Sequence, residues 1–215
     1  YLGYMILFAD RTVMNISLAY IGKDFHVGAA ALGATASAFF LGYTLMQIPG
    51  GYLTDKFGSK LMVIISLFAW SLMTMVTGWA WSLAALIAIR FLFGIAEGPY
   101  PAAALKRISE NYDKSEKSQA TSALISSNYA GAAVAPLIIV PIIASSGWRN
   151  AFVWLGVGGF IILLAYYLVE RPINNSQENG QARPKIEWKK IDHRVWAFVV
   201  IGLALNIITK GLETW

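Results

Sequence analysis

Hydrophobic positions in this chain come in long continuous runs, and the polar positions gather between them. Seven stretches, 1–22, 29–54, 60–78, 82–105, 118–144, 149–169 and 195–215, are predominantly apolar. Each is long enough for a helix across a bilayer, which takes about 20 residues. A helix satisfies its backbone N–H and C=O groups internally, as lipid demands. A β-barrel would instead show alternating segments of about 10 residues. The connections are short except for 170–194, which carries Pro172 and Pro184 among a concentration of Asn and Gln. The pattern predicts an all-α integral membrane protein: a six-helix bundle over 1–169, a polar linker over 170–194 and a seventh helix over 195–215. The first run opens at Tyr1 without a basic n-region or cleavage site, and the last ends at Trp215 without a polar tail. The expectation is a fragment that contains half of a transporter and the first helix of its other half.

Composition sharpens this picture. Hydrophobic residues make up 57% and charged residues 13% of the 215 positions, about half the charge of a soluble domain, which argues against a water-soluble globule. With no cysteine, disulfides and thiolate metal sites are excluded, and His26 and His193 fall in connections, so neither metal nor cofactor is expected. The net charge of +5 follows from topology. The connections after the second, fourth and sixth runs hold twelve basic residues: Lys56, Lys60, Lys106, Arg107, Lys114, Lys117, Arg171, Arg183, Lys185, Lys189, Lys190 and Arg194. The opposite side holds two, Lys23 and Arg149. Basic loops stay in the cytoplasm, which places the linker and the 54–60 turn there and requires no nucleic-acid partner.

Five charged residues lie well inside the apolar runs: Asp10, Arg11, Arg90, Glu97 and Lys210. Charges at membrane depth cost several kcal/mol and mark ion pairs, water-filled pathways or proton relays. Counted from the predicted outer helix ends at a rise of ~1.5 Å per residue, Asp10 and Arg11 lie ~20 Å down, Tyr43 ~21 Å, Glu97 ~22 Å and Asn128 ~26 Å. Four helices thus contribute to one layer near the midplane, where secondary transporters hold their substrates. Helical phase puts Arg11 and Asn15 on one face and Arg90 and Glu97 on another. Asp10 and Arg11, about 100° apart, face different neighbours, one toward the pathway and one toward a helix. The spacing Arg90-x-x-x-Gly94-x-x-x-Gly98 favours close helix approach. Lys210 and Glu213 are expected to form an interfacial pair.

The turn Gly51-Tyr52-Leu53-Thr54-Asp55-Lys56-Phe57-Gly58-Ser59-Lys60 resembles the signature loop of the major facilitator superfamily, G-x-L-x-D-R-x-G-R-K, with Lys56 for the usual Arg and Ser59 for the first basic residue after Gly58. The resemblance implies the N-terminal six-helix bundle of that fold, a 3+3 inverted repeat, followed by helix seven of a truncated second bundle. Asp10-Arg11, the stretches Ser37–Thr44 and Gln47–Gly51, and Arg90-x-x-x-Gly94-x-x-Glu97 are similar to the anion:cation symporters, which carry sugar acids such as galactonate, glucarate and hexuronates with protons. Members often place Asn where this chain has Val13, with Asn15 following. The antiporter pattern of helix five is incomplete: Gly131 and Pro136 are present, but Leu137 and Ile138 follow in place of glycines.

The expected function is proton-coupled symport of an organic anion, with Asp10 and Glu97 as proton sites, Arg90 coupling Glu97 to the site, and Arg11, Tyr43, Asn128 and Asn15 as substrate contacts. Two ionised carboxylates in the layer would repel an anion, and protonating them frees arginine N–H donors to bind it. The plainer alternative for Asp10 and Glu97 is a fixed ion pair with Arg11 or Arg90. For Tyr43 and Asn128 it is ordinary interhelical hydrogen bonding. Gly51, Asp55, Lys56, Gly58 and Lys60 form the expected gating loop. Asp55 stands at the predicted start of helix three, where a carboxylate caps free N–H groups; the resemblance adds a bridge to the second bundle. Trp79, Trp81, Trp148 and Trp188 are expected to be interfacial anchors. The competing functions are an organophosphate or other organic-anion antiporter and a transporter-like sensor. No nucleophile–His pairing at membrane depth points to an enzyme, and no phosphate-binding G-x-x-x-x-G-K-[ST] loop occurs. The expected setting is a bacterial inner or plasma membrane, with a full-length monomer.

Overall fold

The computed structural model describes residues 1–170. The predicted linker beyond Glu170 and the predicted seventh helix, with Trp188, His193, Lys210 and Glu213, lie outside the described residues. Every element within them is helical: α1 Leu2–Phe25, α2 Ala29–Phe57, α3 Ser59–Thr77, α4 Leu83–Glu97, α5 Tyr100–Asn111 and α6 Lys114–Glu170. Among the described residues, four helical segments are long and apolar enough to cross a membrane: Ala29–Phe57, Ser59–Thr77, Leu83–Asn111 and Lys114–Glu170.

Backbone chemistry explains where these elements depart from the apolar runs. The run 82–105 becomes α4 and α5. Helical angles persist through Gly98 (φ −51°, ψ −39°) and Pro99 (φ −73°, ψ −23°), but Pro99 and Pro101 have no N–H to donate, so the hydrogen-bond ladder breaks. In α6 the chain turns at Gly147, whose φ of 83° suits glycine. One arm covers 114–146 and the other 148–170. The expected 54–60 turn contracts to Gly58, at φ 90°; Gly51, Asp55 and Lys56 belong to α2, and Lys60 to α3. Asp55 therefore does not cap α3, whose N-cap is Gly58, without a side-chain cap. The basic residues expected in the next connection also lie in helices: Lys106 and Arg107 in α5, Lys114 and Lys117 in the first turn of α6.

Three backbone seams assemble the bundle. A β-carbon on Gly131 would lie 2.0 Å from the Met5 carbonyl oxygen, one on Gly94 2.2 Å from that of Phe39, and one on Gly156 2.9 Å from that of Ser71. These positions press the first arm of α6 on α1, α4 on α2, and the second arm of α6 on α3, the close packing that small residues permit between membrane helices.

The α3 helix displays the inside-out logic of a membrane bundle. Its buried face carries Ser66, Trp70, Ser71, Thr74 and Thr77, whereas Leu61, Ile65 and Phe68 are exposed. Lipid accepts apolar side chains as readily as the core does, so packing and interhelical hydrogen bonds decide what turns inward. The tryptophans divide accordingly. Trp79 and Trp81 are 61% and 80% exposed, but Trp148 is 5% exposed. Trp148 is thus a packing residue rather than an interfacial anchor. It lies edge-on to Phe25 and Phe152, and its Nε1–H donates to Asp24 Oδ2 at 3.3 Å.

Candidate functional site

The charged residues of the apolar runs gather into two adjoining compartments. In the first, Arg11 of α1 meets Glu97, the last residue of α4. Arg11 Nε donates to Glu97 Oε1 at 3.1 Å, and Arg11 Nη2 donates to the same oxygen. The Glu97 side chain is completely buried and that of Arg11 is 23% exposed, so the pair lies at the edge of the packed interior. Three rings surround the guanidinium, with centroids 5.1 Å (Phe8), 5.2 Å (Phe39) and 5.0 Å (Tyr43) from Arg11 Cζ. Phe8 and Phe39 stabilise the cation without supplying acceptors, whereas the Tyr43 side chain also hydrogen-bonds to Arg11. Glu97 Oε2 is buried and, among the described residues, has no hydrogen-bond partner.

The second compartment lies among α1, α3, α4 and the second arm of α6. Asp10 Oδ1 accepts a hydrogen bond from Thr74 Oγ1 at 2.9 Å, and Arg90 Nη2 donates to Thr77 Oγ1 at 3.3 Å. Asp10 and Arg90 are 1% and 3% exposed. The Arg90 Cζ lies over the rings of Phe93 and Phe152, 4.9 and 5.1 Å from their centroids. Asp10 and Arg90 exert on each other the strongest attraction that either feels from an opposite charge. The question left open by the adjacent Asp10-Arg11 pair is answered: Asp10 turns into the packed interior toward α3, and Arg11 turns toward α2 and α4.

The geometry groups Arg11, Tyr43 and Glu97, and separately Asp10 and Arg90. Asn128, on the first arm of α6, is half-buried, with Oδ1 buried and unpartnered. Asn15 is exposed. Neither hydrogen-bonds to the Arg11–Glu97 pair. Sequence reasoning missed Phe8, Phe39, Thr74, Thr77, Phe93 and Phe152. The hydroxyls had a usable signal: Ser66, Ser71, Thr74 and Thr77 recur three to five residues apart inside an apolar run.

The signature segment lies at the helix ends. Asp55 accepts from Lys106 Nζ at 2.7 Å, Ser59 Oγ bonds the Glu110 carboxylate, and Lys60 Nζ donates to the Glu170 carbonyl oxygen at 3.0 Å. Lys56 lies over the Phe57 ring.

Comparison with known proteins places this geometry. The Major Facilitator Superfamily profile matches residues 1–215. A probable sulfoacetate transporter of Cupriavidus necator is 31% identical across all of this chain and 54% of its own length. A probable galactarate/D-glucarate transporter of Escherichia coli is 30% identical over 81% of this chain and 41% of its own. The chain therefore spans about half the length of these relatives. Among solved structures, a bacterial homologue of the human lysosomal transporter Spinster, in an inward-facing, unoccupied conformation, superposes with a TM-score of 0.73 at 24% identity, over 88% of this chain and 45% of its own. With its apolar helices, glycine seams and a superfamily match over its whole length, the chain is a membrane protein, not an enzyme, and it belongs to the Major Facilitator Superfamily.

Proposed function

We propose that the full protein is a secondary active transporter that carries a small organic anion together with protons by alternating access, in a bacterial inner or plasma membrane, with its basic helix ends cytoplasmic. The observation that carries this reading is the Arg11–Glu97 pair: a buried carboxylate occupies the edge of a half-buried, ring-walled guanidinium. While Glu97 is ionised it competes with any anion for the same N–H donors. A proton on Glu97 cancels that charge and releases Arg11 to grip a carboxylate or sulfonate through paired hydrogen bonds. Substrate and proton then bind together, which is symport. Tyr43, Asn15 and the unpartnered Asn128 Oδ1 are the further substrate contacts. The Gly51–Lys60 segment, with Asp55 and Lys56, gates the basic end against the second bundle. Relatives named for sulfoacetate and for galactarate and glucarate favour an organic anion.

The test is uptake of labelled D-glucarate into liposomes that hold the full-length protein, under an inward proton gradient. Wild type is expected to accumulate substrate against its gradient. Glu97→Gln is expected to lose accumulation while substrate exchange persists. Uptake indifferent to the proton gradient would overturn symport and favour an antiporter.

A further inference from the structure

We propose that Thr74 and Thr77 are positioning residues for proton coupling, holding Asp10 and Arg90 as an ion pair separated by hydroxyls; the coupling role rests on the symport reading above. A buried carboxylate and a buried guanidinium that attract each other ordinarily close into a direct, two-pronged contact. Among the described residues, neither Asp10 nor Arg90 forms a salt bridge. Each is held by a hydroxyl from α3 instead, Asp10 by Thr74 at 2.9 Å and Arg90 by Thr77 at 3.3 Å. The two threonines are three residues apart and so project from one face of α3, and both are fully buried.

Their polarity is set by what else they bond. Thr77 Oγ1 donates to the Met73 carbonyl oxygen at 2.8 Å, so its hydrogen is committed and its lone pairs face Arg90. Thr74 donates to Asp10. A hydroxyl is both donor and acceptor, so when Asp10 takes up a proton, Thr74 can rotate and accept the new O–H. A carboxylate locked directly on Arg90 would have to break two charged hydrogen bonds to do the same. Arg90 stays in place meanwhile, held over the Phe93 and Phe152 rings. The charged groups that act on Asp10 are Arg90 and Glu97 from α4 and Arg11 from its own helix; α3 contributes Thr74, and α6 the Phe152 ring behind Arg90. Thr74 is therefore the element that lets Asp10 change protonation inside a closed compartment.

The experiment uses full-length protein with Thr74→Val, which keeps the shape and removes the hydroxyl, and Thr74→Ser, which keeps it. Two measurements are made. One is gradient-driven accumulation of labelled D-glucarate beside exchange at equal pH. The other is the infrared carbonyl-stretch band that appears on acidification and is missing in Asp10→Asn, a signature that needs no transport. Thr74→Val is expected to lose accumulation about tenfold, the scale of one hydrogen bond to a charged group, to keep exchange, and to move the band. Thr74→Ser is expected to restore both. An unmoved band in Thr74→Val overturns the proposal whatever transport shows. A moved band with normal accumulation overturns the coupling role. A moved band beside a wild type that ignores the proton gradient leaves the hydroxyl-held pair standing and sinks the symport reading and the coupling role with it. Exchange by Thr74→Val and recovery of the band in Thr74→Ser exclude misfolding as the cause.

Discussion

Charges in the middle of the bundle and charges at its basic end are bonded in opposite styles. At the end, partners are shared. Glu170 takes two hydrogen bonds from Arg107, at 3.2 and 2.5 Å, and has Lys60 at 4.0 Å. Glu110 takes the Ser59 hydroxyl and lies 3.7 Å from Arg107. In the middle, Asp10 has one side-chain hydroxyl and Arg90 another, and among the described residues Arg90 Nε and Glu97 Oε2 are buried without a hydrogen-bond partner. Leaving a buried polar atom unpaired costs roughly 1–3 kcal/mol. The end is therefore built to stay closed as it is. The middle holds groups whose bonding is incomplete, which is what a site that takes up a proton or an anion requires.

The comparison is sharpened most by breaking the middle pair. Arg11→Ala strands Glu97 in an apolar site, and removing one partner of a buried pair typically costs about 3–5 kcal/mol. Thermal unfolding of the full-length protein in detergent is expected to register that loss, and Arg11→Ala/Glu97→Ala to recover much of it. A single variant as stable as wild type would show that the pair carries little of the fold. Next comes Glu170→Gln at the end, which removes the charge that Arg107 and Lys60 share. Its partners are partly buried, with side chains 13% and 24% exposed, and the expected cost is about 1–2 kcal/mol by the same assay. A loss equal to that of Arg11→Ala would erase the distinction between the two regions. Smaller still is the Asp55–Lys106 pair, 65% and 33% exposed. A double-mutant cycle there is expected to give under about 1 kcal/mol, weakening with salt. A larger value would make the signature segment a structural clamp within this bundle, rather than a contact free to be exchanged.

How much of this was legible in the sequence depended on what each feature averages over. Helix existence followed from run length, since apolar windows respond to lipid rather than to neighbours. The acidic and basic positions inside the runs were conspicuous because lipid penalises them. Partnership was not legible. Asp10 and Arg11 are adjacent, and only packing fixed that Asp10 meets α3 while Arg11 meets α2 and α4. Thr74 and Thr77 vanished into an apolar window because a threonine hardly changes its mean. Trp148 was misplaced for a related reason: aromatic residues near a helix end suit an interface, yet the corner at Gly147 folds this one under Phe25. Asp55 belongs to α2 because that helix runs on through Phe57 and ends only at Gly58, a boundary that the loop-like composition of 51–60 hides.

The smallest expected effect lies at the opposite end of the bundle, where Asp24 joins α1 to α6. Arg149 donates to Asp24 Oδ2 and to the Ala80 carbonyl oxygen at 3.2 Å, while stacking over Trp148 at 4.4 Å. The Arg149 hydrogen bond holds the Asp24 carboxyl below its ordinary range. A depressed aspartate contributes stability at all pH above the ordinary value of about 3.9, and loses it as pH falls through the lower folded value. Both side chains are 41% exposed, so water and salt screen the pair, and the contribution at neutral pH is a few tenths of a kcal/mol. Asp24→Asn is therefore expected to lower the unfolding temperature slightly at pH 7. As the pH falls through that lowered value its difference from wild type is expected to vanish, because the wild-type carboxyl is then neutral too. A gap that persisted in acid would mean that Asp24 acts through its bond from Trp148 Nε1 rather than through its charge, and this end of the bundle would then belong with the packed middle instead of contrasting with it.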